Sequence, residues 1–194
     1  VFGFGIFGLT YLLPIFLQLA IDYTPTEAGL VIVPAGIALA LAMPVGGRLA
    51  DRYASRPLVS TGLLLIVVSL LLTATVSPGT GYWTIVAWSI LGRFGLAILS
   101  PALVIGSTRG LERPDMAQAM SLTVFVRHLG GEVGISAAGI FVDWRLAAYG
   151  ASRVGRGGDP TAALAAFHEC FVALAVVTLY AIIASWFMSS RRTA

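Results

Sequence analysis

Residues 28–47 read AGLVIVPAGIALALAMPVGG, with no charged or strongly polar side chain anywhere in the run. A bilayer's hydrocarbon core is about 30 Å thick and takes about 20 helical residues to cross. A helix in a soluble core would carry a polar face, and this run has none. Working outward, five more apolar stretches of similar length fill almost all of the 194-residue chain, at about 1–21, 58–76, 83–108, 117–142 and 163–188. Lipid offers no partner for an unsatisfied backbone N–H or C=O, so only helices and closed barrels can span it. Barrel strands would alternate polar and apolar residues in segments of about ten, and that alternation is absent. The expected fold is an all-α membrane protein with six transmembrane helices, forming one domain over 1–194.

Composition agrees. Hydrophobic residues make up 58% of the chain and charged residues 11%, against roughly 25% charged in soluble domains. The formal net charge is +3, but the basic residues are scattered among short loops. No nucleic-acid partner is expected from that pattern. All twelve basic residues are arginine, which fits a compositional bias better than a functional one. Cys170 is the single cysteine, so no internal disulfide can form and the thiol reads as a small packing residue. The chain opens at Val1 inside an apolar run, with no basic segment before it. It reads as a fragment without a signal peptide, its natural start lying upstream.

Loop charges suggest an orientation. Arg48, Arg52 and Arg56 follow the second stretch, Arg109 and Arg113 the fourth, and Arg191 and Arg192 the sixth. The opposite side carries Arg145, Arg153 and Arg156 around one long loop. The positive-inside rule puts the first set in the cytoplasm. The expectation is a multi-pass protein of the bacterial inner (plasma) membrane with a cytoplasmic C-terminus. Tyr82, Trp83, Trp88, Trp144 and Tyr149 then fall where an outer aromatic belt belongs, and Trp186 marks an inner one. Pro14, Pro34, Pro44 and Pro101 lie inside helices and favour kinks. The long loop 143–162 has a Gly-rich centre that reads as mobile, and Asp159-Pro160-Thr161 resembles a helix start.

The six helices are not alike. The third and sixth carry no charge in their bodies, whereas the fourth carries Arg93 and the fifth carries Arg127, His128 and Glu132 near its middle. Ionisable groups at such depth are costly and usually face a protein interior or a wet cavity. Helices four and five are therefore expected to line something polar. Arg127, Gly131, Gly134 and Ala138 share one helical face, and Gly130-x-x-x-Gly134 is a close-packing pattern. His128 and Glu132 are four apart on a neighbouring face, close enough to hydrogen-bond. They read either as a satisfied polar pair or as a proton-linked site, and Arg127 either as a helix-to-helix tie or as a cavity residue. Gln18 can donate and accept without a charge, to a ligand or to a neighbouring helix. Asp22, near an outer helix end, reads as solvated, and His168 and Glu169, near the outer end of the sixth helix, read as interfacial.

The junction of the second and third helices reads Gly46-Gly47-Arg48-Leu49-Ala50-Asp51-Arg52-Tyr53-Ala54-Ser55-Arg56-Pro57. Gly47, Asp51, Arg52 and Arg56 in this setting resemble the cytoplasmic loop motif of the major facilitator superfamily, with Ala54 and Ser55 departing from it. A glycine there allows close helix approach, and the charged residues would act in cytoplasmic gating. Tyr11-Leu12-Leu13-Pro14-Ile15-Phe16-Leu17-Gln18, Phe125-Val126-Arg127-His128-Leu129-Gly130-Gly131 and Phe167-His168-Glu169 look like the C-terminal half of the 14-helix drug:proton antiporter branch, the EmrB/QacA type. Glu132 departs from that pattern.

The resemblance implies proton-coupled efflux of drugs or small amphipathic molecules by alternating access. It implies a missing N-terminal half as partner, a small-molecule substrate, the bilayer as surroundings, and a proton gradient in place of any cofactor. Gln18, Arg93 and Arg127 become substrate-cavity candidates, and Glu132 and His128 proton-linked candidates. An exporter of a self-made metabolite, lipid or siderophore, and a non-transporting membrane scaffold, stay open as alternatives. An intramembrane enzyme does not fit. Ser100-Pro101 lacks a nucleophile's setting, and neither histidine stands in H-E-x-x-H, so no catalytic or metal residue is expected.

Overall fold

The computed structural model describes residues 2–108, 111–149 and 160–186, with side chains from Thr10 onward except those of Arg113, Pro160 and Ala184. Six helices follow one another: α1 (Phe2–Leu19), α2 (Pro25–Arg52), α3 (Ser55–Thr73), α4 (Tyr82–Thr108), α5 (Arg113–Ala148) and α6 (Pro160–Ser185). All six anticipated spans are present as helices. Four of them, α2, α3, α4 and the Thr161–Ile183 part of α6, are long and apolar enough to cross a bilayer by length and composition. Arg109, the loop residues 150–159 with Arg153, Arg156 and Asp159, and the C-terminal Arg191 and Arg192 lie outside the described residues. The charge asymmetry therefore rests on the sequence.

Helix ends follow local chemistry. α2 starts at Pro25, three residues before the apolar run, because Thr24 and Glu27 form a reciprocal cap. The Glu27 N–H donates to Thr24 Oγ1 at 3.3 Å, and the Thr24 N–H donates to Glu27 Oε2 at 2.8 Å. The preceding turn passes through Asp22 at φ 62°, a left-handed conformation that Asp tolerates better than most residues. α1, α2 and α4 each continue through their prolines, Pro14, Pro34, Pro44 and Pro101.

The packing has an internal symmetry. α2 packs on α4 as α5 packs on α1, and α3 packs on α4 as α6 packs on α1, while α3 and α6 pair with each other. Exchanging helices 1–3 with helices 4–6 maps each of these pairings onto another. That is the pattern of two three-helix repeats. It puts α1, α2, α4 and α5 in one layer, backed by α3 and α6.

Two kinds of contact hold the layers together. On the α1–α6 side the core is aromatic: the Phe16 ring lies 5.5 Å from Phe167 and 5.4 Å, edge-on, from Phe171, and all three side chains are fully buried. Cys170 is buried beside them, its Sγ donating to the Ala138 carbonyl of α5 at 3.8 Å. On the α2–α4–α3 side the contact is backbone to backbone. A Cβ on Gly46 would lie 2.0 Å from the Ala97 carbonyl oxygen, and Cβ atoms on Gly62 and Gly95 would each meet the other's carbonyl oxygen, at 2.8 and 2.6 Å. Without a hydrophobic force between helices in lipid, such close van der Waals packing is what drives association.

Hydrogen bonds pin the same interfaces. Ser69 of α3, 0% exposed, donates to the Trp88 carbonyl of α4 at 2.7 Å. Interhelical bonds of this kind are worth about 0.6 kcal/mol on average in membranes, at most about 1.7. Ser69→Ala should accordingly lower the stability of the detergent-solubilised protein by about that amount in a denaturant titration, with no change of fold. A change above that ceiling would mean Ser69 does more than tie two helices.

Three readings of the sequence change here. Trp83 and Trp144 are well exposed, as belt residues should be, but Trp88 is half-buried and packs against the core. Glu169, read as interfacial, takes an ion pair from Arg145 and a 2.7 Å hydrogen bond from the Tyr149 hydroxyl, so it locks α5 to α6. His168 Nε2 sits 2.7 Å from the Val76 carbonyl beyond the end of α3. Both side chains are spent on helix-to-helix contacts.

Candidate functional site

The polar groups of the inner layer gather on one stripe of α4. Arg93 projects from α4 toward α1, where its Nη1 donates to Thr10 Oγ1 at 3.3 Å. Ser100, seven residues on, lies two helical turns and about 10 Å along the same face. It accepts from Nη1 of Arg127 on α5 at 3.4 Å. The Nε of Arg127 is buried and has no partner among the described residues. Two guanidinium groups thus stand in the α1–α4–α5 seam, each bonded to a neutral hydroxyl.

The α5 face anticipated from spacing is the packed one. Gly131, Gly134 and Ala138 are buried and Arg127 is half-buried. Val142 and Leu146, further along α5, are buried as well. His128 and Glu132 lie on the other side of α5 and are exposed, and Glu132 makes no hydrogen bond or ion pair among the described residues. The pairing that their spacing suggested is not formed. Gln18 is half-buried on α1, and its Nε2 donates to the Pro14 carbonyl of its own helix at 3.0 Å. The structure thus brings Arg93 and Arg127 onto one stripe. It leaves Gln18 turned to its own backbone and puts Glu132 and His128 on a separate face.

At the α2–α3 junction the motif is mostly helical. Gly47, Asp51 and Arg52 occupy the last turns of α2, only Tyr53 and Ala54 connect the helices, and Arg56 is in the first turn of α3. The close approach expected at Gly47 falls one residue earlier: a Cβ on Gly47 would meet nothing within 4 Å, whereas one on Gly46 would strike α4. Asp51 and Arg52 are exposed. The Arg56 guanidinium stacks 4.9 Å from the centre of the Trp186 ring, and Ser60 and Ser185 hydroxyls lie 3.1 Å apart just above. The C-terminal end of α6 is thereby tied to the motif. That contact was not legible in the chain order, since 130 residues separate the two side chains.

Comparison with known proteins follows the same line. The whole chain, residues 1–194, matches the profile of the Major Facilitator Superfamily. It is 33% identical over 131 residues to the multidrug export protein EmrB of Escherichia coli K12, a match covering 67% of this chain and 26% of EmrB. It is 29% identical over 147 residues to the methylenomycin A resistance protein of Streptomyces coelicolor, covering 74% of this chain and 31% of that protein. It is 23% identical over 141 residues to the multidrug transporter protein MdtP of Bacillus subtilis, covering 73% and 26%. The matched region spans about a quarter to a third of the length of these relatives. With its six helices, its apolar spans and this match end to end, the chain belongs to the Major Facilitator Superfamily, a family of membrane transporters and not of enzymes.

Proposed function

We propose that this chain is the C-terminal six-helix half of a 14-helix exporter that moves drugs or other small amphipathic molecules out of a bacterial cell in exchange for protons. The observation that carries the reading is the polar stripe Arg93–Ser100–Arg127 where α1, α4 and α5 meet. A lipid-facing bundle has no use for such a stripe, whereas a translocation route needs one wall of this kind. The relatives named for multidrug export and antibiotic resistance support the substrate class.

Bare apolar faces on α2 and α5 support the idea of a second half, while the one on α6, with Val176, Tyr180 and Ile183, suits lipid. α2 presents Leu30, Val33, Ile37, Leu41 and Val45, with Leu41 73% exposed. α5 presents Phe125, Leu129, Val133 and Ile140, with Ile140 69% exposed. Rocking of the two halves would open the route to each side in turn, with Gly47, Asp51, Arg52 and Arg56 at the cytoplasmic hinge and the C-terminus inside. Gln18 would contribute its carbonyl oxygen to the wall.

Proteoliposomes test the proposal. The complete transporter should drive saturable ethidium flux against its gradient when a pH gradient is imposed, and a protonophore should abolish it. The isolated 194-residue chain should give none. Gradient-driven flux from the isolated chain would overturn the half-transporter reading, and no flux of ethidium or of an anionic dye such as carboxyfluorescein from the complete protein would overturn the export reading.

A further inference from the structure

We propose that the α4 stripe is an oxyanion subsite, so that this transporter prefers solutes bearing a carboxylate, phosphate or sulfonate group. The inference rests on the reading of the α1–α4–α5 seam as part of a translocation route.

Arg93 and Arg127 sit near the middles of α4 and α5, where an unmatched cation is costly. Their partners in the structure are two hydroxyls, at 3.3 and 3.4 Å. A hydroxyl is a neutral acceptor and cannot offset a guanidinium charge; a carboxylate or phosphate offsets it and fits its planar fork with two parallel hydrogen bonds. The buried Nε of Arg127 is left with nothing to donate to among the described residues. That edge of the fork is where a second oxygen would bind.

The chain has no carboxylate to spare for them. Of its nine acidic residues, Asp22, Glu27 and Asp143 lie at or near one set of helix ends and Asp51, Glu112 and Asp115 at the opposite set, while Asp159 is outside the described residues. Glu169 is already paired with Arg145. Glu132 is the single acid at midspan depth, but it is five residues beyond Arg127, about 140° around a helix of 3.6 residues per turn. It is also exposed while Arg127 is half-buried. The two arginines are anchored about 10 Å apart along α4. A compact anion would therefore engage one at a time, and an elongated amphipathic acid would reach both. The missing oxyanion has two sources, an acid group on the solute or a carboxylate elsewhere in the complete transporter, and we commit to the solute.

The test compares carboxyfluorescein, an anion, with ethidium, a cation, in proteoliposomes of the complete transporter. Arg93→Gln and Arg127→Gln should each lower the carboxyfluorescein-to-ethidium rate ratio about tenfold, as loss of a charged hydrogen bond would. Arg93→Lys and Arg127→Lys, which keep the charge without the fork, should recover part of the ratio. Thermal melting of each purified variant separates misfolding from altered selectivity, because a misfolded protein loses both fluxes together at a lowered Tm. An unchanged ratio in folded Gln variants would overturn the inference, since a carboxylate elsewhere in the protein would slow both dyes alike. A wild-type protein that moves ethidium but not carboxyfluorescein would also overturn it, while leaving the export reading intact. One that moves neither would remove both.

Discussion

Gly46→Ala should keep α2 from docking on α4, while Gly47→Ala, one residue further on, should leave the fold as it is. The added Cβ at Gly46 would lie 2.0 Å from the carbonyl oxygen, 2.7 Å from the carbonyl carbon and 3.3 Å from the next backbone nitrogen, all of α4 at Ala97 and Ile98. None of these atoms can rotate aside, so the two helices would have to part by more than an ångström. Parting them also disturbs the neighbouring α3–α4 crossing, where Gly62 and Gly95 are in reciprocal contact. Overpacking an ordinary core costs about 1–3 kcal/mol because side chains shift. Here only backbone can shift, and the cost should exceed that range. Gly47 meets nothing within 4 Å and borders the same helix end, which makes it an internal control. The measurement is thermal unfolding and size-exclusion behaviour of the two purified variants. A Gly46→Ala protein that melts with the wild type would show that the α2–α4 crossing is looser than this geometry. A Gly47→Ala protein that folds normally yet transports poorly would locate the motif's role in gating and not in packing.

That adjacent pair also shows what a sequence can and cannot disclose. The six helices were legible because a bilayer imposes a length and a composition on each, and four of them, α2, α3, α4 and the Thr161–Ile183 part of α6, are long and apolar enough to cross one. The packed face of α5 was legible because Gly131, Gly134 and Ala138 repeat at helical spacing. Which of Gly46 and Gly47 meets the neighbour was not legible, since one residue turns a helix by about 100° and only the partner decides. The same limit hid the contacts that join distant parts of the chain. Arg145 read as a charge of the long loop and Glu169 as an interfacial residue, and only the α5–α6 packing makes them a pair. Trp88 had the spacing of a belt residue and is turned inward by the α3–α4 crossing. The depth of Arg93, Arg127 and Glu132 could be read from position along a span. Their division between an inward stripe and an outward face could not, because that depends on which helices flank α5.

Glu132→Gln should abolish proton-driven accumulation of substrate by the complete transporter while sparing substrate-for-substrate exchange. Glu132 stands exposed at midspan between Leu129 and Val133. A carboxylate left against lipid at that depth costs about 2.5–3.5 kcal/mol on insertion scales. Protein or water must therefore cover this face of α5 in the working protein. Coupling needs a group that takes a proton from one side and gives it up on the other, and intramembrane carboxyls are the usual relays. In this chain Glu132 is the single acid at midspan depth that is not on the α5–α6 lock. A glutamine has nearly the same shape and keeps hydrogen bonding but has no proton to exchange, so Glu132→Gln removes the acid and not the packing. Exchange at equal pH needs binding and rocking alone and should continue. Glu132→Asp should keep coupling, with reduced rate. If Glu132→Gln still accumulates substrate under a pH gradient, coupling lies elsewhere in the transporter. If it loses exchange as well, Glu132 belongs to the binding wall or to the interface between the halves. His128, one turn before Glu132 on the same exposed side, offers the second readout: a His128→Gln variant that shifts the pH profile without abolishing accumulation would place it as a proton carrier to Glu132, since an imidazole exchanges protons in the physiological range where the gradient operates.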